Sequence, residues 1–543
     1  MYKLRSFYFP ALLAVVTIMS FYRLGSVSLF DVDEAVFAQA TKEMVQGGDW
    51  TTPTYNGENR YDKPILFYWL MAASYKIFGI NEFGARFPSA FAGMLLSLSI
   101  FFFVRRCMGR ETALYAAASF VLSLYFFVYS HAAVTDMTLT LFTTLSLFSF
   151  FLAVPKGNDT PDASNLYLYG FYLFSALAFL TKGLIGIVFP FCIAAVYLII
   201  TGGHRGMGRL FSIKAIALFL LVSVPWYAAE FAINGKEFFD QFFMKHHFMR
   251  YTGVISGHRG PFFYYIPVLI IGLFPWIAFL PAGIRDTAGG DHTAVVSGKS
   301  GGESTHDEST AARYPSLPLF ALIWLTLILL FFSFSTTKLP NYILPSIPAA
   351  SMLIGAGMAG QRLRWNRYSH GFIMIAAVFS GIVFILSKGY LVKSGISDTG
   401  WTSAAAVIMF FLAAISFYAF LARRRPYGYM SVLMVAFLLL LSVKALPLAN
   451  QKLQGTLYKF SLLAKESLRE GGTLITSGIN NPSVVFYSDH RIRKTDGPDD
   501  LLPIIRDGKK AIVIARADDL EFLEALGLKL LSKDDKYALF ETE

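Results

Sequence analysis

Three acids stand in four residues at Asp31-Val32-Asp33-Glu34, just after the first long apolar run of the chain. A carboxylate at a membrane surface can take a proton from an acceptor hydroxyl. The same acids could instead serve only as the negative start of a helix. A second acid, Asp136, closes the run Tyr129-Ser-His-Ala-Ala-Val-Thr-Asp136, and its alternative role is likewise a helix cap. Four cations complement them: Lys63 in Tyr61-Asp62-Lys63-Pro64, Lys182 in Thr181-Lys-Gly183, Arg250 after His246-His247, and Lys338 in Thr336-Thr-Lys-Leu-Pro-Asn-Tyr342. Arg and Lys on the side of a membrane that usually lacks them call for an anionic partner, and a phosphate fits. Headgroup contact is the plainer alternative. Adjacent residues point apart on a helix, so His246 and His247 do not predict a shared metal ion.

These residues need elements to hold them, and the composition says which. Of 543 residues, 55% are hydrophobic and only 15% charged, with 53 Phe. Such a chain expects lipid as its solvent. Apolar runs centre near residues 15, 95, 120, 143, 172, 192, 219, 270, 324, 349, 379, 411 and 437, which predicts about 13 membrane-spanning helices. Residues 1–20 read as an uncleaved signal anchor. Lys3 and Arg5, Arg105, Arg106 and Arg110, His204, Arg205 and Arg209, Arg362, Arg364 and Arg367, and Arg423 to Arg425 then all fall in loops on the side of the N-terminus. The positive-inside rule makes that side cytoplasmic. The net charge of +11 is therefore read as membrane anchoring, not as nucleic-acid binding. The two cysteines, Cys107 and Cys192, predict neither a disulfide framework nor a zinc site.

Three regions are then expected outside: the loop 22–84, the segment 230–260 and the tail after about 448. Within the first loop, Asp33 to Gln46 predicts an amphipathic helix closed by Gly47-Gly48, and Ile65 to Phe78 a short interfacial helix. Residues 289–310 read as a flexible linker. The tail predicts strands at 472–478, 484–488 and 510–516, helices at 498–507 and 517–527, and two more strands within 528–541. The expected division is a transmembrane catalytic part, 1–447, and an extracytoplasmic α/β domain, 448–543.

The order of pieces resembles the ArnT-like, protein-O-mannosyltransferase-related GT-C glycosyltransferases. The matching runs are Phe30-Asp-Val-Asp-Glu-Ala35, Gly47-Gly-Asp-Trp50, Tyr61-Asp-Lys-Pro64, Phe78 to Pro88, Leu180-Thr-Lys-Gly183, Pro225-Trp226, Arg250, Gly260-Pro-Phe262 and Lys338 to Pro345. The resemblance implies a GT-C fold and transfer of a sugar from undecaprenyl phosphate, with inversion and no metal or cofactor needed for the chemistry. It implies Asp33 as catalytic residue, Asp136 as a second acid, and Lys63, Lys182, Arg250 and Lys338 around the donor phosphate, with Glu34, Asp62 and Tyr342 as further site candidates. It also implies a multi-pass protein of the bacterial inner membrane, monomeric, meeting a lipid-linked donor, membrane lipids and a lipid, glycan or protein acceptor. One departure stands out. Members that modify lipid A carry Asp-Glu-Thr-Arg-Tyr, where this chain has Asp33-Glu-Ala-Val-Phe37. An arginine and a tyrosine hydroxyl are replaced by apolar groups beside the base, so the reaction is implied while sugar and acceptor stay open. A lipid or sugar transporter would instead place charges deep in repeated spans, and an envelope scaffold would leave the acids idle.

Overall fold

A computed structural model describes residues 2–154, 161–202, 211–242, 260–288, 316–360, 363–501 and 510–542. The predicted linker 289–310, His246, His247 and Arg250 lie outside the described residues. The chain forms two compact units: Met1–Tyr22, Asp62–Phe67 and Ser89–Ser442; and Arg23–Tyr61, Tyr68–Pro88 and Val443–Glu543.

The first unit is helical. Among the described residues, eight helices are long and apolar enough to cross a membrane, or up to ten if each of two bent pairs is one span. Two shorter apolar helices, Tyr8–Phe21 and Ile185–Ile200, accompany them. All thirteen predicted centres fall on helices or bent pairs. The helix Leu363–Lys393 shows why lipid is the solvent. Phe372, Ile375, Phe379, Ile382 and Leu386 are spaced three and four apart, so they share one face, and all are exposed. In water such a row would be a large apolar patch; facing acyl chains, it is at home. The helix Ile347–Ala359 is the opposite case. Residues Ile347 to Met358 are all buried. Its Gly355 and Gly357 let neighbouring backbones approach: a Cβ at Gly357 would collide with the Phe279 carbonyl, and one at Gly355 would meet Ala116 at 2.8 Å.

The labels α1 to α9 are used for Tyr2–Phe21, Asp33–Gly47, Leu66–Phe78, Glu82–Met108, Arg110–Val121, Leu124–Ser130, Asp136–Ala153, Pro161–Lys182 and Ile185–Ile200. In the second unit, α2 begins with two acids in its first turn and ends at Gly48, whose φ of 76° gives the left-handed cap. A hairpin, β1 (Thr54–Tyr55) and β2 (Glu58–Asn59), follows. Its Asn56-Gly57 turn has positive φ at both positions, as a two-residue hairpin loop of right-handed twist requires. The Glu43 carboxylate on α2 accepts from Thr54 Oγ1, Asn56 N and Gly57 N, and so ties the hairpin to the helix.

Five further strands, β3 (Thr473–Ser477), β4 (Ile492–Thr495), β5 (Ala511–Arg516), β6 (Lys529–Lys533) and β7 (Tyr537–Glu541), form a mixed sheet in the order β4-β3-β5-β7-β6. Alternation sends Ile512 and Ile514 to one core and Val513 and Ala515 to the other. The edge strands carry Arg493, Lys494, Lys529 and Lys533, charges that discourage further pairing.

Three expectations for the tail change. Residues 484–488, predicted as a strand from their Val-Val-Phe-Tyr run, lie in a helix, Pro482–Ser488, in which all seven residues are buried. Pro482 occupies its first turn, where a missing N–H costs nothing, and tertiary burial overrides the β propensity. The helix predicted at 517–527 is a 3-10 turn, Ala517–Asp519, followed by Leu520–Ala525. The helix predicted at 498–507 starts as a 3-10 turn, Pro498–Leu501, and residues 502–509 lie outside the described residues. The strand β4 was not foreseen; Arg493 and Lys494 hide its short β pattern.

The second unit also carries a pH-sensitive tie. Asp489 accepts from Lys42 at 2.6 Å and from Lys465 at 3.1 Å. The Lys42 hydrogen bond holds the Asp489 carboxyl below its ordinary value. A depressed folded pKa contributes stability that is present above the unfolded value, near 3.8, and is lost as pH falls through the folded one. Asp489→Asn is therefore expected to lower the melting temperature at pH 7 and to flatten its fall below about pH 4. Parallel melting curves of wild type and variant from pH 3 to 7 measure this; parallel acid limbs would contradict it.

Candidate active site

Each of the three acids before α2 has a different fate. Glu34 is buried and forms a bidentate pair with Arg86 on α4, Nε to Oε1 at 2.7 Å and Nη2 to Oε2 at 2.9 Å. Arg86 spends its other N–H groups on the carbonyls of Leu24, Val27 and Ser28. Its five donors thus fold the loop after α1 onto Glu34. Glu34 Oε2 also accepts from Phe30 N at 2.8 Å, across the start of α2. Asp31 is half-buried and holds Ser483 and Asn481. Asp33, between them, is exposed, and its carboxylate has no hydrogen-bond or ion-pair partner among the described residues. A carboxylate needed as a base must keep its lone pairs available, and of the three only Asp33 does.

A second group forms within the other unit. Asp136 opens α7 and is buried. Its Oδ1 accepts from Lys182 Nζ at 2.6 Å, at the last residue of α8, and from Asn341 Nδ2 at 3.1 Å. Asn341 lies in the 3-10 turn Pro340–Ser346, whose Pro340 carbonyl accepts from Tyr125 on α6. The helix ends thus place a carboxylate, an ammonium and an amide at one point. In the sequence Asp136 and Lys182 are separate signals. Asn341, between Pro340 and Tyr342, reads there as a turn residue. Arg86, inside Phe78 to Pro88, carries no local signal of its own.

The remaining candidates divide. Lys63 is half-buried ahead of α3, and its ammonium donates to the Asp62 carbonyl at 2.9 Å. Tyr342 packs its ring 5.0 Å from that of Phe332. Lys338, expected at a donor phosphate, is buried and donates to the carbonyls of Phe332, Ser333 and Ser335. Those carbonyls lie at the C-terminal end of the helix Leu317–Phe334, where a cation also meets the negative dipole end. Its three N–H groups are spent there, so in this structure Lys338 is a helix cap. Among the described residues, no group of three His, Cys, Asp or Glu side chains gathers into a metal-binding cluster.

Removing the Asp136 charge tests the second group. Asp136→Asn leaves Lys182 without its counter-charge and is expected to cost about 1–3 kcal/mol of stability. Adding Lys182→Met should recover most of that cost. A thermal-melt double-mutant cycle in detergent reads both; additive losses would contradict the pairing.

A bundle of apolar helices, an acid at a helix start beyond the first of them and a small mixed sheet in the tail have the make-up expected of a GT-C membrane protein. Comparison with known proteins agrees. A family profile described as dolichyl-phosphate-mannose-protein mannosyltransferase matches residues 62–228. The undecaprenyl phosphate-alpha-4-amino-4-deoxy-L-arabinose arabinosyl transferase of Pectobacterium carotovorum is 29% identical over 75% of this chain and 72% of its own length. The Proteus mirabilis transferase of the same description is 30% identical over 69% of this chain and 65% of its own. The crystal structure of ArnT from Cupriavidus metallidurans, solved bound to undecaprenyl phosphate, shares the fold with a TM-score of 0.81 at 21% identity, covering 98% of this chain and 97% of that one. The oligosaccharyltransferase of Archaeoglobus fulgidus matches more distantly, with a TM-score of 0.52 over 96% of this chain and 71% of that one. The chain is thus similar along most of its length to these arabinosyl transferases and shares the GT-C fold of ArnT, and its apolar helices make it a multi-pass membrane protein.

Proposed function

We propose that this enzyme moves a sugar from an undecaprenyl-phosphate donor to lipid A or a related envelope glycan, with inversion, at the periplasmic face of the bacterial inner membrane. The observation that carries the reading is Asp33: an exposed carboxylate without a partner among the described residues, whose neighbours Asp31 and Glu34 are both committed. Asp33 takes the proton of the acceptor O–H. The acceptor oxygen bonds to the anomeric carbon, and the bond from that carbon to the phosphate oxygen breaks. The polyprenyl phosphate leaves as a stabilised anion, so it needs cations and no general acid. Lys63 and Arg250 are assigned to that phosphate, and Asp136, with Lys182 and Asn341, to positioning the acceptor.

The arginines placed between spans support an N-terminus in the cytoplasm and a periplasmic tail from 448 onward. The protein is proposed to act as a monomer. Purified enzyme in lipid vesicles, supplied with undecaprenyl-phosphate 4-amino-4-deoxy-L-arabinose and lipid A, should yield lipid A heavier by the sugar residue. Mass spectrometry of envelope glycans from cells with and without the gene identifies the product if another sugar or acceptor is used. Identical envelope spectra in the two strains would contradict the reading.

A further inference from the structure

Asp31 is used by none of the chemistry above, yet it makes the densest set of contacts of the three acids with the tail. Its Oδ1 accepts from Ser483 N at 2.7 Å. Its Oδ2 accepts from Ser483 Oγ at 2.6 Å and from Asn481 Nδ2 at 2.9 Å. With its amide turned to satisfy both groups, Gln454 donates to Oδ2 at 2.9 Å and accepts from Asp31 N at 3.0 Å. Four donors on one carboxylate and an acceptor on its own N–H hold Asp31 on every side. Ser483 and Asn481 sit at the start of the helix Pro482–Ser488, whose end reaches α2 again. There Lys42 donates to the Phe486 carbonyl at 3.1 Å, and next to it Asp489 holds Lys42. Tyr487, on the same helix, donates to Glu82, and its hydroxyl accepts from Leu29 N. All of these contacts lie within one compact unit.

The consequence concerns Asp33. A base without partners has nothing of its own to fix its position, and misplacement by about 1 Å can cost about 10²-fold in rate. Its place must come from the backbone on either side. On the C-terminal side, Glu34 is locked by Arg86. On the N-terminal side, the segment Phe30 to Val32 closes the first turn of α2 through Ala35 N to the Phe30 carbonyl and Val36 N to the Val32 carbonyl. Asp31 is the residue that pins that segment.

We propose that Asp31 is a positioning residue for the transfer reaction, and that the C-terminal helix Pro482–Ser488 is thereby a working part of the active site. This rests on the assignment of Asp33 as the base. The tail is then a brace for the catalytic residue, and its loss stops turnover even where the transmembrane unit persists.

The test uses the full-length enzyme in membrane vesicles, with the lipid-linked donor whose product the envelope comparison identifies. Ser483→Ala and Asp31→Asn are measured beside Asp33→Asn. The expected result is a fall in kcat of about 10-fold for Ser483→Ala and about 10²-fold for Asp31→Asn, with KM for the donor unchanged. The double variant Asp31→Asn/Ser483→Ala should lose no more than Asp31→Asn alone, because the Ser483 Oγ contact is already lost with the carboxylate. Hydrogen exchange of amides 31–37 should rise in Ser483→Ala, the milder change. Wild-type kcat in both single variants, with Asp33→Asn inactive, overturns the positioning role and leaves Asp33 standing. Activity in Asp33→Asn overturns the assignment of the base itself. A loss confined to the amount of folded enzyme, with kcat per folded molecule intact, also overturns the proposal.

Discussion

Asp33→Asn is expected to lower transfer by about 10²- to 10⁴-fold while leaving the melting temperature within about a degree of wild type, the range a lost general base produces. The two halves of that expectation come from one observation. Asp33 makes no hydrogen bond or ion pair among the described residues, so removing its charge leaves no partner stranded. Asn matches its shape and keeps its place at the start of α2, where Val32 remains the residue before the helix. Only the ability to take a proton is lost. Stability therefore reports on folding, and activity on the chemistry. Initial rates in vesicles and a melting curve on the same preparation settle it. Full activity in Asp33→Asn would remove the base from the mechanism. A large drop in melting temperature would mean that the carboxylate is a structural cap after all.

The Glu34–Arg86 pair is expected to behave in the opposite way. Both side chains are almost wholly buried, 6% and 2% exposed. Breaking a buried pair by removing one partner costs about 3–5 kcal/mol, because the other charge stays behind unpaired. Arg86→Met also strands the carbonyls of Leu24, Val27 and Ser28. It is expected to lose most of the folded protein, with activity falling in proportion. Arg86→Lys keeps the charge but brings three donors where five are used, so it should recover only part of the loss. The double variant Glu34→Gln/Arg86→Met removes both charges and should be more stable than Arg86→Met alone. Thermal unfolding of the purified variants orders them. Arg86→Lys as stable as wild type would show that the fork of five donors is not needed.

These two neighbours, Asp33 and Glu34, show how far a sequence reaches. The apolar runs and the arginines between them determined that the chain is a membrane protein of many helices, because hydrocarbon thickness and the cost of charge in lipid act on local stretches of chain. The boundaries of α2 were equally legible, since two acids at its start and Gly48 at its end are local signals. So was most of the tail sheet, from short apolar runs bounded by Gly or charged residues. The residues 484–488 were misread because a short Val-Val-Phe-Tyr run satisfies either a strand or a buried helix, and packing decides between them.

The site divides along the same line. The sequence determined which residue types were present: three acids in four residues, a lone Asp136 and scattered cations. Only tertiary structure decided their duties, since a partner in space has no fixed separation in sequence. Arg86 lies 52 residues from Glu34, Ser483 lies 452 from Asp31, and Asn341 lies 205 from Asp136. Those distant donors take up Glu34, Asp31 and Asp136. The nearby carbonyls of a helix end take up Lys338. What they leave is Asp33, exposed and without a partner among the described residues, which is the ground for proposing it as the base.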